Sequence, residues 1–289
     1  MNYEGIIIRP PSEADSIILQ VTVGCSHNHC SFCGVYKDVE FRIKDDSAIE
    51  QDIEWASRHC LNQKRVFLAD GDVLILPLHK LKRLFGRIRA RLPHVKRISL
   101  YGNGKAIRSK SLSDLLTLKK LGLSRIYLGV ESGDDEVLAE IHKGETAQTL
   151  AAAGQKVKKA GIFLSTTVIL GLGGVKNSTR HASATASLLN KISPNQIAAL
   201  TLMVLENTPL AEQVANKTFH LPDTLGLLSE LRTLVRGLTV DRAQFMANHS
   251  SNYLPISGRL ARDRERILYE IDQALSGETD LVPDHLRAL

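Results

Sequence analysis

The chain has 289 residues and a formal net charge of +6, from 37 Lys+Arg against 31 Asp+Glu. Hydrophobic residues make up 43% and charged residues 24%, a balance that excludes disordered, collagenous and coiled-coil chains. The length suits one large domain or two small ones, and a single α/β barrel fits it.

The first residues, MNYEGIIIRPPSEAD, have early acids and a three-residue apolar run, unlike a signal-peptide core. Short runs rich in Ile, Leu and Val at 16–23, 65–69, 97–101, 125–130, 163–170 and 196–203 read as strands covered on both faces. Between them, 47–59, 78–91, 112–121, 134–141 with 146–160, and 178–191 read as amphipathic helices. Ser47 followed by Glu50 has capping-box spacing, and Gly122 and Gly161 suit the left-handed position after a helix. Six strand–helix repeats predict a parallel sheet with helices outside, either open or closed into a barrel. Beyond 203 the rhythm loosens into a helix at 224–239, a seventh strand at 242–247, a helix at 258–276 and a surface tail at 277–289. No linker or low-complexity tract intervenes, so residues 206–289 are expected as an extension packed on a barrel formed by 1–205. The longest uncharged stretch, 160–175, contains four glycines and is too short and broken to span a bilayer. A cytoplasmic protein without membrane contact is expected.

Three of the four cysteines lie on one loop, Gly24-Cys25-Ser26-His27-Asn28-His29-Cys30-Ser31-Phe32-Cys33, with spacing C-x4-C-x2-C. The loop begins where the first strand ends, the end at which α/β proteins bind ligands. Three thiolates suit three corners of a 4Fe–4S cubane, leaving one iron open to a small molecule. Zinc is the alternative, with His27 or His29 as fourth ligand, but no second ligand pair of the usual spacing follows. Cys60 stands apart in a helical pattern and reads as a buried free thiol.

This loop resembles the motif of the radical S-adenosylmethionine (SAM) superfamily, with Phe32 at the aromatic position before the last cysteine and a first gap one residue longer than the common C-x3-C. The resemblance implies a partial (β/α)6 TIM-like barrel with a 4Fe–4S cluster on Cys25, Cys30 and Cys33. SAM would bind the open iron, and its reductive cleavage would release methionine and a 5′-deoxyadenosyl radical that abstracts hydrogen from substrate. An electron donor such as flavodoxin or ferredoxin is implied as partner.

The later strand ends fit the same resemblance. Asp70-Gly71-Asp72 falls where the superfamily has a turn that meets the methionine ammonium, and carboxylates beside a glycine suit that role. Asn103, within Gly102-Asn103-Gly104, could hydrogen-bond ribose or carboxylate, although Gly-Asn-Gly is also a common turn. Gly129-Val130-Glu131-Ser132-Gly133, with the text through Lys143-Gly144, resembles the branch holding the Elongator catalytic subunit, methylthiotransferases and NifB-like domains. That branch implies Glu131 near the SAM ribose and Lys143 near its carboxylate; a solvated helix-end lysine is the alternative. Gly171 closes a strand that would lie against adenine. The following glycines form neither a dinucleotide fingerprint nor a P-loop.

Substrate chemistry is less legible. His181 reads as a surface residue at a helix start. Asn248-His249-Ser250-Ser251-Asn252 is dense in polar groups, and His249 and Asn252 are candidate substrate-site residues. Residues 73–113 hold eleven Lys/Arg and no acid, which leaves 26 Lys+Arg against 31 Asp+Glu elsewhere. Lys80, Arg83, Arg87 and Arg91 are spaced to line one helix face, either a solvated surface or an RNA-facing patch within residues 80–110. No second cysteine cluster accompanies the first, which argues against methylthiotransferase activity. The expected function is a radical SAM enzyme acting on RNA or a small metabolite; the alternative is a zinc-stabilised nucleic-acid-binding module.

Overall fold

The computed structural model describes residues 1–288. They form two compact units, each assembled from separated stretches of chain. The first unit comprises Met1–Asn28, Val35–Leu128 and Ala153–Leu164; the second comprises His29–Gly34, Gly129–Ala152 and the chain from Ser165 onward.

The chain enters through β1 (Ile17–Gln20), β2 (Thr22–Val23) and β3 (Arg42–Ile43), then α1 (Asp46–His59), β4 (Arg65–Ala69) and α2 (Leu78–Arg91). β5 (Arg97–Tyr101), α3 (Gly104–Ser109), α4 (Leu112–Lys120) and β6 (Leu123–Glu131) follow. Next come α5 (Asp135–Glu140), α6 (Ala147–Lys159), β7 (Phe163–Leu170), α7 (Gly174–Ile192) and β8 (Gln196–Thr201). The chain ends with α8 (Pro209–Ala215), α9 (Thr224–Gly237), β9 (Gln244–Ala247), β10 (Ile256–Arg259) and α10 (Arg264–Leu275).

In the first unit β1, β4, β5 and β6 pair in that order, all parallel. In the second, β7, β8 and β9 are parallel and β10 closes the edge antiparallel to β9. The predicted parallel strands are therefore present in both. The apolar run at 16–23 divides, because Thr22 and Val23 change partner and pair with β3. Hydrophobicity alone carries no signal for such a change. The capping box expected at Ser47 does not form: α1 begins one residue earlier, after Asp45. A reciprocal box forms instead at Ser111 and Asp114, at the start of α4. Gly122 and Gly161 do adopt positive φ. The predicted helix at 258–276 begins as β10 and becomes helical only at Arg264. The short helices α3 and α8 were not legible as periodic segments.

α2 shows which forces dominate. Leu81, Leu84, Phe85 and Ile88 are buried on one face. Full burial of each such side chain contributes roughly 2 kcal/mol. On the other side Arg83 pairs with Asp46, Arg87 with Glu50 at 3.3 Å, and Arg91 with Glu54 at 3.4 Å, all across to α1. Exposed pairs of this kind are worth under about 1 kcal/mol each. Apolar burial holds the helix; the ion pairs set its alignment with α1. The basic stripe read from the sequence is thus largely neutralised: three of its four members face acids, which removes most of its value as a phosphate footprint.

The terminal segment lies on the surface as expected, and its end is held in place by specific bonds. A short turn at Asp284–Leu286 docks on the Ser250–Tyr253 loop. Arg287 stacks over Tyr253 at 3.8 Å and donates to the Ser251 carbonyl at 2.8 Å, while Tyr253 donates to Asp284 at 2.7 Å.

Replacing Arg83, Arg87 and Arg91 together by Glu sets three new acids against Asp46, Glu50 and Glu54. The chain is expected to lose about 1–2 kcal/mol of stability, less at high salt, because like charges then face each other. Denaturant unfolding measures it; an unchanged midpoint would mean that the pairs contribute nothing.

Candidate active site

In the first unit the ends of β1, β4 and β5 converge around the first cysteine. Gly71 N–H donates to the Gly24 carbonyl at 3.2 Å, which joins the β4 turn to the start of the cysteine loop. A Cβ at position 71 would lie 3.1 Å from that of Cys25, a tight contact that glycine avoids. The peptide between Ala69 and Asp70 is cis.

The two carboxylates flanking Gly71 are both buried, and both are already engaged. Asp70 accepts hydrogen bonds from Gln20 Nε2 at 2.9 Å and from the Tyr36 hydroxyl at 3.1 Å. Burial raises the Asp70 pKa, and these bonds oppose the rise. Burial, with the neighbouring Asp70 second, pushes the Tyr36 phenol far above its ordinary range. Asp70 therefore pins Tyr36, which follows the cysteine loop. Asp72 accepts from Ser26 Oγ at 2.6 Å and from Asn103 Nδ2 at 2.7 Å. Burial raises its pKa to about 6, with the Ser26 and Asn103 bonds opposing. Asn103 also caps α3, its Oδ1 accepting Ala106 N–H at 2.7 Å. Cys25, Asp70, Gly71, Asp72 and Asn103 thus lie near one another in the first unit. Their contacts are mostly with one another, and sequence reasoning missed Gln20, Ser26 and Tyr36.

Cys25 belongs to the first unit, and Cys30, Phe32 and Cys33 to the second. The latter stretch is tied down within its own unit. Ser31 N–H donates to the Ile141 carbonyl at 2.9 Å, and the Ser31 carbonyl accepts Leu210 N–H at 3.0 Å. Phe32 is half-buried.

Also in the second unit, Glu131 and Lys143 form a shielded ion pair at 2.9 Å. Glu131 holds a left-handed φ of 62°, a conformation uncommon outside glycine. Its other carboxylate oxygen, Oε2, is buried with no hydrogen-bond partner. A buried acceptor left unpaired costs about 1–3 kcal/mol, so the position suits a ligand that brings hydroxyl donors. This orphan oxygen suits a ligand that brings hydroxyl donors, and the chemistry of the C-x4-C-x2-C thiols suits iron; among the described residues no three His, Cys, Asp or Glu side chains are gathered into a metal-binding group.

Gly171 ends β7 with a φ of +90°, as a residue without Cβ allows. Its N–H donates to Oε1 of Glu230 on α9 at 2.6 Å. Glu230 also accepts from Ser178, and burial raises its pKa to about 7. His181 is not the surface residue expected. α7 starts at Gly174, so His181 falls about two turns inside the helix, and only 2% of it is exposed. Burial lowers its pKa. The one available signal for Glu230 was a glutamate in phase with the apolar positions 227, 231 and 234 of its helix.

His249 and Asn252 separate in role. Asn252 is buried: its Nδ2 donates to the Ala199 carbonyl at 2.9 Å and its Oδ1 accepts from Thr201 Oγ1 at 2.8 Å. These bonds tie the loop to β8. His249 is half-buried and its Nδ1 accepts Ser251 N–H at 3.1 Å, which leaves Nε2 to carry the proton of the neutral ring. Burial lowers its pKa.

The fold and site define a mostly parallel α/β protein with a three-cysteine loop at a strand end, of the partial TIM-barrel class. Residues 19–185 match the radical SAM superfamily model, and the chain belongs to that superfamily. Its enzymes use a 4Fe–4S cluster and SAM. Among solved structures the chain is similar to methylornithine synthase (PylB), at 16% identity and TM-score 0.54, over 76% of this chain and 62% of that one. It is similar to coproporphyrinogen III oxidase (HemN) from Escherichia coli, at 16% identity and TM-score 0.56, over 76% and 51%. Similarity extends to archaeal Methanocaldococcus infernus Elp3, at 14% identity and TM-score 0.51, over 80% and 59%. At these identities the likeness is one of fold. The chain spans between half and two thirds of the length of these structures. No curated protein sequence matches it significantly. Among the described residues no helix is long and apolar enough to cross a membrane.

Because burial raises the Glu230 pKa from 4.5 to about 7, the folded protein resists an ionisation that the unfolded chain undergoes freely. Wild-type stability is therefore lost as pH rises through that window. The stability advantage of Glu230→Gln over wild type is expected to grow from pH ~4.5 to ~7 and then level off. Denaturant unfolding of the metal-free protein at stepped pH measures this; a pH-independent difference would contradict it.

Proposed function

We propose that this chain is a radical SAM enzyme that ligates a 4Fe–4S cluster through Cys25, Cys30 and Cys33 and reductively cleaves SAM. The observation that carries the reading is the C-x4-C-x2-C loop lying inside the matched region 19–185. When bound, the cluster and SAM supply a 5′-deoxyadenosyl radical for hydrogen abstraction.

The chain's residues prepare that chemistry. Asp70, through Gln20 and Tyr36, and Gly71, through Gly24, hold the first cysteine's surroundings in register. Asp72 and Asn103 keep polar atoms at adjacent strand ends, where a SAM ammonium or ribose would draw on them. The free Oε2 of Glu131 accepts ribose hydroxyls, while Lys143 balances the Glu131 charge and lies toward the SAM carboxylate. Gly171 ends the strand that would lie against adenine, its turn held by Glu230, and Phe32 precedes the last thiolate.

The reading extends to an electron donor such as flavodoxin or ferredoxin, a cytoplasmic setting, and a catalytic core of residues 1–205 with 206–289 as its extension. The Glu131 segment favours the branch of the Elongator catalytic subunit and methylthiotransferases, and an RNA or small-metabolite substrate. His249 is the stronger substrate-site candidate, since Asn252 is committed to Thr201 and Ala199.

Anaerobic reconstitution is expected to give about four iron and four sulfide per chain. Added SAM and a strong reductant are expected to yield 5′-deoxyadenosine, lost in Cys25→Ala, Cys30→Ala or Cys33→Ala. One zinc without iron would overturn the reading in favour of a zinc-stabilised nucleic-acid-binding module. For His249→Gln, purified protein is expected to keep SAM cleavage but fail to restore the RNA or metabolite profile of a deletion strain. Full restoration would remove His249 from the substrate site.

A further inference from the structure

Helix α9 lies beyond the matched stretch 19–185, yet it sends one carboxylate into the turn after β7. Glu230 sits among the buried Leu227, Leu231 and Leu234, and only 1% of it is exposed. An aliphatic side chain there would complete the apolar stripe without the desolvation cost of a carboxyl. What the carboxyl adds is a pair of acceptors. Oε1 takes the Gly171 N–H at 2.6 Å, and Oε2 takes the Ser178 hydroxyl. Gly171 in turn accepts Gly174 N–H at 3.0 Å, which makes residues 171–174 a closed turn at the start of α7.

A second set of hydrogen bonds lies beside it. His181 Nε2 lies 3.5 Å from Glu230 Oε1 and 3.1 Å from the Ile169 carbonyl. Its Nδ1 is 2.7 Å from Ser132 Oγ. The Ile169 carbonyl only accepts, so Nε2 carries the proton and Nδ1 accepts from Ser132. Ser132 Oγ also accepts Asp134 N–H at 3.0 Å, which fixes its hydroxyl toward the histidine. Ser132 directly follows Glu131, the residue with left-handed φ and the orphan oxygen. His181 thus joins the end of β7, through the Ile169 carbonyl, to Ser132 beside Glu131, and the buried Glu230 packs against its ring.

We propose that Glu230 is a positioning residue for SAM binding: it holds the Gly171 turn through the Gly171 N–H and the Ser178 hydroxyl. This rests on the reading that Gly171 faces SAM. Glu230 does not touch SAM itself.

The test uses full-length reconstituted protein, SAM as the probe, and Glu230→Ala, Glu230→Gln and Ser178→Ala. In Glu230→Ala, amide exchange of peptides covering 169–174 is expected to rise. The KM for SAM is expected to rise about tenfold with kcat little changed, the effect of losing one buried hydrogen bond. Glu230→Gln keeps an oxygen for the Gly171 N–H and is expected to restore most of the affinity. Ser178→Ala removes only the hydroxyl that orients the carboxylate, and is expected to raise KM about threefold, a smaller effect that still reads the clamp if the alanine variant at 230 does not fold. Wild-type KM and exchange in both alanine variants would overturn the proposal. So would a loss of kcat and iron content in parallel with KM, since that marks general destabilisation. The underlying reading has its own readout: SAM added to wild type is expected to slow exchange at 169–174. SAM binding without that protection would sink the placement of Gly171 and the proposal with it. Protection together with unaltered variants would sink only the role of Glu230.

Discussion

A carboxylate removed from water must be given donors from elsewhere in the chain, and this constraint organises the carboxyl ends of the strands. Asp70, Asp72, Glu131 and Glu230 are all buried. Three of them are supplied by side chains or amides distant in sequence: Gln20 and Tyr36 for Asp70, Ser26 and Asn103 for Asp72, Gly171 and Ser178 for Glu230. The cost of burying an unpaired charge far exceeds the value of any one hydrogen bond, so these loops have little freedom to adopt another arrangement. The strand-end turns are rigid because their polar atoms have nowhere else to go.

Against that background the exception carries information. Glu131 has Lys143 on one oxygen and nothing on the other, and it holds a backbone conformation that costs a non-glycine residue energy. The fold supplies donors to Asp70 and Asp72 at the ends of its strands but leaves this Glu131 oxygen without one. The surface shows the opposite economy. Arg83, Arg87 and Arg91 are exposed enough for water to serve them, yet they align with Asp46, Glu50 and Glu54 at matching helical intervals. These pairs add little energy and mainly set the register of α1 against α2.

Much of the fold was legible. The parallel strands are short apolar runs, and burial on both faces leaves that trace in any sequence. Helix ends were harder. Ser47 and Glu50 have capping-box spacing, but α1 begins at Asp46, whereas Ser111 and Asp114 form the box that was not anticipated. A cap depends on where the chain arrives from, and spacing does not record that. His181 was misread for a related reason: α7 starts four residues earlier than expected, which moves the ring from the surface to the interior. Asn252 was drawn to attention by its polar neighbours, and its amide turned out to brace Thr201 and Ala199.

The sequence by itself determined the cysteine spacing, because C-x4-C-x2-C is covalent and local, and it determined the alternation of strands and helices, because hydrophobic periodicity is local too. Tertiary structure decided which polar residues face one another. Gly171 and Glu230 are 59 residues apart, Tyr36 and Asp70 are 34 apart, and Ser26 and Asp72 are 46 apart. No short-range pattern encodes such pairs. They exist because packing apolar faces brings strand ends together, and the polar atoms trapped there take the nearest donors.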